Sequence, residues 1–496
     1  MTDWHILLDG STVPTREEAG NKARGVALMR SLGLPGPPAF VLPTHAGRAF
    51  IENGNTLPDE AWQGAQEGVR TLEEATGRRF GASESALLLS VRSGAAQSMP
   101  GMMDTILNLG MNATVEKALA EESGDPAFAA DVHRRFRESY EKTVGEAAPD
   151  DPYEQLRGAI CAVFASWGSL RAIAYRRHWE IPHEGGTAVT VQAMVFGNLD
   201  ERSGTGVFFT RNPHSGDNDP YGEFLPQGQG EDVVSGEVQP LDLEALRERM
   251  PEVHSALIDA GKVLERNAGD VQDIEFTVER GKLYLLQTRN AKRSPLATIK
   301  LSVALVNDGL MDPLVALEYV RSEHIAAVLA PEIDPERRAT AKLLARGEPA
   351  CPGIASGIAV GDADEAEELN SEDKQVILVS RATSPDDVHG MIASEGIVTE
   401  VGGRTSHAAV VSRELGRPAV VGCGEGTQAA LLGKTITLDG ETGEIFEGEL
   451  PMRRPEFSEH PELQQLAAWA EQNRDSVGDE HPLLDFAAKS VKEGSH

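Results

Sequence analysis

Residues 273–289, DIEFTVERGKLYLLQTR, constrain the fold more than any other stretch of the chain. Two apolar runs flank a short polar link, which reads as a β-hairpin with ERGK as its turn. Side chains alternate across a strand. Asp273 and Glu275 therefore share one face of the first strand, and Gln287 and Arg289 share one face of the second. Two carboxylates two residues apart suit Mg²⁺, which takes one or two carboxylates and completes its shell with substrate phosphates. The same spacing suits the solvated outer face of an antiparallel sheet, and spacing alone leaves both readings open.

The rest of the chain alternates between helix and strand patterns. Residues 16–34 and 57–80 read as helices, SALLLSVRSG at 85–94 as a buried strand, and 113–180 as charged helix. TAVTVQAMVF at 187–196 is a further strand, followed by a glycine-rich polar stretch over 197–240. Residues 296–349 look helical and connecting. After CPGIASG at 351–357 the short strands QVILVS, EGIVTEV, PAVVG and TITLDG appear, with helices near 385–392 and 406–416. Residues 451–496 are polar and helical.

Three further stretches suggest chemistry. Arg92 closes an apolar strand just before Ser93 and Gly94. Arginine offers planar, bidentate recognition of phosphate, although a strand-terminal surface charge has the same pattern. SGTGVFFTRNP at 203–213 reads as a glycine-containing turn between strands, of the kind that lets backbone N–H groups approach phosphates. The chain has no GxxxxGK[ST] loop. In VGGRTSHAAVVSRELGRP at 401–418, Gly402 and Gly403 allow positive φ or close approach. Thr405 or Ser406 can cap a helix that Gly416 ends. His407 then lies in the first helical turn, where free N–H groups and the helix dipole favour an anion. A nucleophilic imidazole there is suited to carry a phosphoryl group. A capping or core histidine fits the same position.

Composition narrows the class. A chain of 496 residues suits two to four domains. The formal net charge of −32 argues against a nucleic-acid or anionic-membrane partner. Cys161, Cys351 and Cys423 are far apart and form no CxxC pair, so a reducing cytoplasm is the expected setting. No segment approaches the roughly 18 to 20 apolar residues that span a bilayer.

Read together, SVRSGAAQSMPGMMDTILNLGMN, VQAMVFGNLDERSGTGVFFTRNP, YGEFLPQGQGEDVVSGEVQP, VQDIEFTVERGKLYLLQTRNAKR, ATSPDDVHGMIASEGIVTEVGGRTSHAAVVSRELGRP and DGETGEIF closely resemble pyruvate phosphate dikinases and phosphoenolpyruvate synthases. They occur in family order from about residue 15 to 450. The resemblance implies an α/β (α+β) chain of four parts. These are an ATP-grasp nucleotide domain over 1–295 with a helical insert at 113–180, a helical connector over 296–349, a swivelling phosphohistidine domain over 350–450 and a polar tail over 451–496. It implies that His407 accepts the β-phosphoryl group of ATP. It places Lys22 and Arg92 on the phosphates and Glu231 in the nucleotide site. Asp273 and Glu275 become Mg²⁺ ligands, and Gln287 and Arg289 become the final nucleotide-site residues.

The departures are informative. The family tends toward GGKG where this chain has Gly20, Asn21, Lys22 and Ala23, and Ala96 replaces a common arginine after SVRSGA. The family's third domain, a barrel that binds pyruvate, has no βα repeats here to build it. The expectation is an ATP-dependent phosphotransferase that passes the group from His407 to a small-molecule acceptor, with pyruvate held on a separate barrel subunit. A rifampicin-phosphotransferase-type kinase, a phosphocarrier without turnover and a degenerate ATP-binding regulator are the competing classes.

Overall fold

A computed structural model describes residues 3–97, 99, 105–178, 181–230, 232, 240–403, 406–478 and 481–484. The chain divides into two compact units, Met1–Val320 and Arg321–His496. The boundary falls inside the stretch expected as a single connector. Helices Pro295–Asn307 and Pro313–Tyr319 belong to the first unit, and Ser322–Val328 and Pro335–Thr340 to the second. Residues 343–351, expected as connector up to 349, form strands of the second unit's sheet.

The first unit holds two five-stranded antiparallel sheets. One contains β1 (Ile6–Leu7), β2 (Ala39–Leu42), β3 (Leu89–Gly94), β4 (Thr105–Leu109) and β5 (Ala188–Ala193), in the order β1-β2-β5-β3-β4. The other contains β6 (Gly204–Phe209), β7 (Tyr221–Pro226), β8 (Leu241–Asp242), β9 (Gln272–Glu279) and β10 (Lys282–Asn290), in the order β8-β7-β6-β9-β10. Phe40, Val91, Val189 and Val191 of the first sheet pack with Val69, Leu72 and Phe164 from helices Asp59–Thr76 and Pro152–Ser166. Phe208, Ile274, Phe276 and Val278 of the second pack with Leu257 and Leu264 of helix Pro251–Ala268. The alternation in β9 thus sends its apolar residues to the core and leaves Asp273, Glu275 and Thr277 on the other face.

The expected hairpin forms. Glu279 pairs with Lys282 across a two-residue turn in which Arg280 (φ 51°) and Gly281 (φ 77°) both take positive φ, as a type I′ turn requires. A bulge follows that the sequence did not announce. Glu275 pairs with Gln287 but Phe276 pairs with Leu285, so Leu286 is extra. Without the inserted residue, Gln287 and Arg289 would fall on the opposite face.

Two expectations need correction. SGTGVFF is strand β6 itself, not a turn, and β7 also lies in the stretch read as glycine-rich and polar. The glycines mark close packing: a Cβ on Gly206 would sit 2.6 Å from the Phe276 ring and 2.2 Å from the Glu223 carbonyl oxygen. The helix expected over 16–34 spans Arg16–Ser31 and kinks at Gly20, whose φ of 75° is open to glycine. Its small residues Ala19, Ala23 and Ala27 are buried, and Gly25 lies against the Thr288 carbonyl, so this helix α1 (Arg16–Ser31) fits closely against β10.

The second unit is built on an eight-stranded mixed sheet. Four strands at its centre, Ile354–Val360, Val376–Ser380, Gly396–Thr399 and Ala419–Val421, run parallel. Ile377, Val379, Val398, Val420 and Leu438 form one side of its core. Helix α2 (His407–Leu415) follows the third of these strands, so His407 lies beyond a strand's carboxyl end, where open α/β sheets place ligands.

Candidate active site

A cavity of about 360 Å³ lies between the two sheets of the first unit, lined among others by Arg92, Gln192, Val195, Gln229, Glu275 and Arg289. The register of β9 and β10 places Asp273 opposite Arg289 and Glu275 opposite Gln287, so these four residues share one face. Arg289 Nε donates to Asp273 Oδ2 at 2.7 Å. Arg92 Nη2 reaches Glu275 Oε2 from the other sheet at 3.4 Å. Asp273 and Gln287 are buried and do not line the cavity. Glu231 lies outside the described residues.

Polar capacity here is left unused. Asp273 is 7% exposed and its Oδ1 has no hydrogen-bond partner among the described residues; neither does Arg92 Nε. Each buried orphan of this kind costs about 1–3 kcal/mol, a cost that a ligand with matching groups removes. Burial pushes the Asp273 carboxyl above the usual carboxylate range, against the pull of Arg289 and with the push of Glu275. A cation at Oδ1 would relieve that strain. No group of three or more His, Cys, Asp or Glu side chains suited to a metal occurs among the described residues. Asp273 and Glu275 therefore fit a cation that draws the rest of its shell from phosphate oxygens, as Mg²⁺ does.

Lys22 follows the Gly20 kink. It does not line the cavity, but burial first, then Arg92 and Arg289, bring its ammonium down to about 8 against the opposing pull of Glu275. The turn that holds it is latched to the exit of β3: the Asn21 N–H donates to Ala95 O at 3.0 Å and its Nδ2 to Ala96 O at 2.7 Å. The two unusual residues, Asn21 and Ala96, are thus direct partners. A Cβ on Gly20 would meet the Gly94 carbonyl at 2.5 Å, so the turn cannot pack this way with a larger residue there. Lys22, Arg92 and Arg289 form a compact cationic group that two carboxylates only partly neutralise.

This predicts a pH dependence. Because the folded pKa is lowered, the ammonium charge is present below about pH 8 and lost above it. Affinity for a polyphosphate should fall between pH 7 and 9 and protons should be taken up on binding in that window. Lys22→Met should weaken polyphosphate binding about 10-fold or more at pH 7 and flatten that part of the profile, as calorimetric titration would show.

The sequence reading passed over Thr190, Gln229 and the segment Met194–Gly197. Thr190 pairs with Arg92 across β5 and β3, and its hydroxyl is a further buried group without a partner among the described residues. The polar Thr190 and Gln192 in an otherwise apolar strand were the available signal.

In the second unit, Ser406 is the N-cap of α2 and its Oγ accepts from the Ala409 N–H at 3.4 Å. Thr405 lies outside the described residues. Gly402 has φ 108°, and Gly416 caps the C-terminus with φ 64°. His407 is half-buried, and its Nδ1 lies 3.1 Å from Thr383 Oγ1. If Nδ1 donates in that contact, Nε2 is the nitrogen with the free lone pair.

Residues 57–256 match the model of the pyruvate phosphate dikinase AMP/ATP-binding domain, and 372–443 match that of the PEP-utilising enzyme mobile domain. Over 92% of its length the chain is 40% identical to pyruvate, phosphate dikinase of Rhizobium meliloti. The chain belongs to the pyruvate phosphate dikinase family. A second member, from Clostridium symbiosum, is 38% identical over 96% of the chain, and a chloroplastic one from Oryza sativa is 40% identical over 92%. The chain spans 59%, 61% and 54% of these three dikinases. The two matched models fall one in each structural unit. Among the described residues no helix is long and apolar enough to cross a membrane.

Proposed function

We propose that this chain is the phosphoryl-loading part of a dikinase: it binds ATP between the two sheets of its first unit, transfers the β-phosphoryl group to His407 Nε2 with release of AMP, and passes the γ-phosphoryl group to inorganic phosphate or water. The observation that carries the reading is a cavity lined by Arg92, Glu275 and Arg289, with Asp273 bonded to Arg289 and Lys22 in the field of both arginines, and with orphaned polar atoms on Arg92 and Asp273. Phosphoryl transfer needs positioning and charge neutralisation more than covalent help. Arg92 and Arg289 are placed to hold phosphate oxygens, Lys22 to neutralise the charge that builds on the bridging and leaving oxygens, and Asp273 and Glu275 to hold Mg²⁺. Bound with the nucleotide, Mg²⁺ would supply Lewis-acid neutralisation of phosphate charge.

Nε2 attacks the phosphorus as the bond to the departing oxygen breaks. Thr383 keeps the Nδ1 proton on the far side of the ring, and the growing positive charge of the imidazolium is shared with the threonine oxygen. A histidine intermediate divides one transfer into two easier ones, and bending of the chain at the boundary of the two units, Val320 to Arg321, lets them work in turn. The acceptor in the second step is pyruvate or another small molecule.

Incubation with ATP and Mg²⁺ should give AMP in proportion to an acid-labile, base-stable phosphoprotein. ADP as the only nucleotide product would overturn the reading. Thr383→Val should leave ATP affinity unchanged and slow phosphoprotein formation about 5- to 10-fold, the value of one hydrogen bond. Rapid-quench kinetics against an ATP titration separates the two effects.

A further inference from the structure

Gln229 presents a second kind of unused capacity in the same cavity, far from the cationic group. Its side chain lines the cavity and is only 4% exposed, yet its Oε1 has no hydrogen-bond partner among the described residues. The rest of the residue is fixed. Nε2 donates to Asn198 Oδ1 at 3.3 Å, the backbone N–H donates to Asp232 Oδ2 at 2.9 Å, and the backbone carbonyl accepts from the Asp232 N–H at 2.9 Å. Asp232 is itself held by Arg135 at 2.8 Å. With the amide nitrogen committed to Asn198, the carbonyl oxygen is the group left over, and it is a pure acceptor.

The strand register shows which part of a ligand it meets. The face of β9 that bears the cavity carries Asp273, Glu275 and Thr277, of which Glu275 and Thr277 line it, and on β6 Thr205 pairs with Thr277 while Phe209 pairs with Asp273. The loop after β7 returns beside Thr205: Gln227 N–H donates to the Ser203 carbonyl, and a Cβ on Gly230 would lie 3.9 Å from Thr205 Oγ1. Gln229 therefore sits at the Thr277 end, about 13 Å along the strand from Asp273 and Arg289 at roughly 3.3 Å per residue. The segment joining the two sheets comes to the same end. Met194, Val195 and Gly197 line the cavity, and Gly197 approaches Gly228 so closely that a Cβ would meet its carbonyl oxygen at 2.3 Å. The phosphate-binding charges mark one end of the cavity, so this is the end left for the nucleoside.

We infer that Gln229 Oε1 accepts a hydrogen bond from the nucleoside of the bound nucleotide, and that it selects for a donor there. The inference rests on the cavity being the ATP site. Two groups of ATP have the required chemistry, the exocyclic amine of adenine and the ribose hydroxyls. A site built around a buried acceptor rejects an analogue without the donor, because the acceptor is then left unpaired.

The test measures binding of ATP, purine riboside triphosphate (no exocyclic amine), 2′-deoxy-ATP and 3′-deoxy-ATP to the full chain with Mg²⁺. The native protein should bind one of the three analogues about 5- to 30-fold more weakly than ATP, which names the donor. Gln229→Leu should lose that discrimination while still binding the analogue normally. Gln229→Glu, which keeps an acceptor oxygen, should retain it, so the comparison decides even if the leucine variant does not fold. Equal binding of all four nucleotides by the native protein, or discrimination unchanged in Gln229→Leu, overturns the inference alone. ATP binding that does not respond to Lys22→Met overturns the nucleotide-site reading and this inference with it.

Discussion

His407→Asn should bind ATP as tightly as the native chain and form no phosphoprotein at all. Asparagine keeps a planar polar group at the start of α2 and can still bond to Thr383, so the local fold has no reason to change. It has no nucleophilic ring nitrogen. The cavity proposed to bind ATP lies in the other unit, so its affinity should be untouched. Few substitutions separate binding from chemistry so cleanly, and the effect on the chemical step is total rather than graded. Thermal melting of the variant should match the native protein, and equilibrium dialysis with ATP should give the same affinity. Residual acid-labile label would place the acceptor elsewhere.

The second large effect is expected at the carboxylate pair. Asp273→Asn and Glu275→Gln should each slow phosphorylation of His407 by at least about 100-fold. Each removes an anionic oxygen that a hard cation needs and leaves the surrounding arginines unbalanced. The two variants should differ in one respect. Asp273 is the more buried and carries the orphaned oxygen, so its loss should not be recovered by high Mg²⁺. Glu275 is more open and only loosely paired with Arg92, so part of its activity should return as Mg²⁺ is raised. Manganese binding followed by electron paramagnetic resonance, in the presence of a non-hydrolysable ATP analogue, gives the same comparison without turnover. Near-native phosphorylation by both variants would remove the metal from these residues.

Much of the site was legible because it lies on one hairpin with a regular alternation. Two-residue spacing put Asp273 with Glu275 and Gln287 with Arg289, and the structure brings all four to one face. What spacing did not reveal was the bulge at Leu286, which sets the register between the two pairs; an inserted residue leaves no mark in a pattern of period two. Strand β6 was hidden for a related reason. Its glycines mimic a turn in sequence, whereas in the fold they make room for the Phe224 and Phe276 rings. Lys22 and Asn21 could be located only by resemblance, since the charge of Lys22 matters through Arg92 and Arg289, which are 70 and 267 positions away in sequence and adjacent only in the fold. Thr383 and Gln229 were missed because a lone threonine or glutamine in a loop carries no period. Their signal is a hydrogen-bond arrangement, and that exists only in three dimensions.

The most direct measurement uses ATP labelled separately at the β and the γ phosphorus, followed by mass-spectrometric location of the label on the protein. Label from the β position on His407, at Nε2, with none retained in His407→Asn, is the expected result. Label from the γ position without label from the β position, or β label on any residue other than His407, would contradict it.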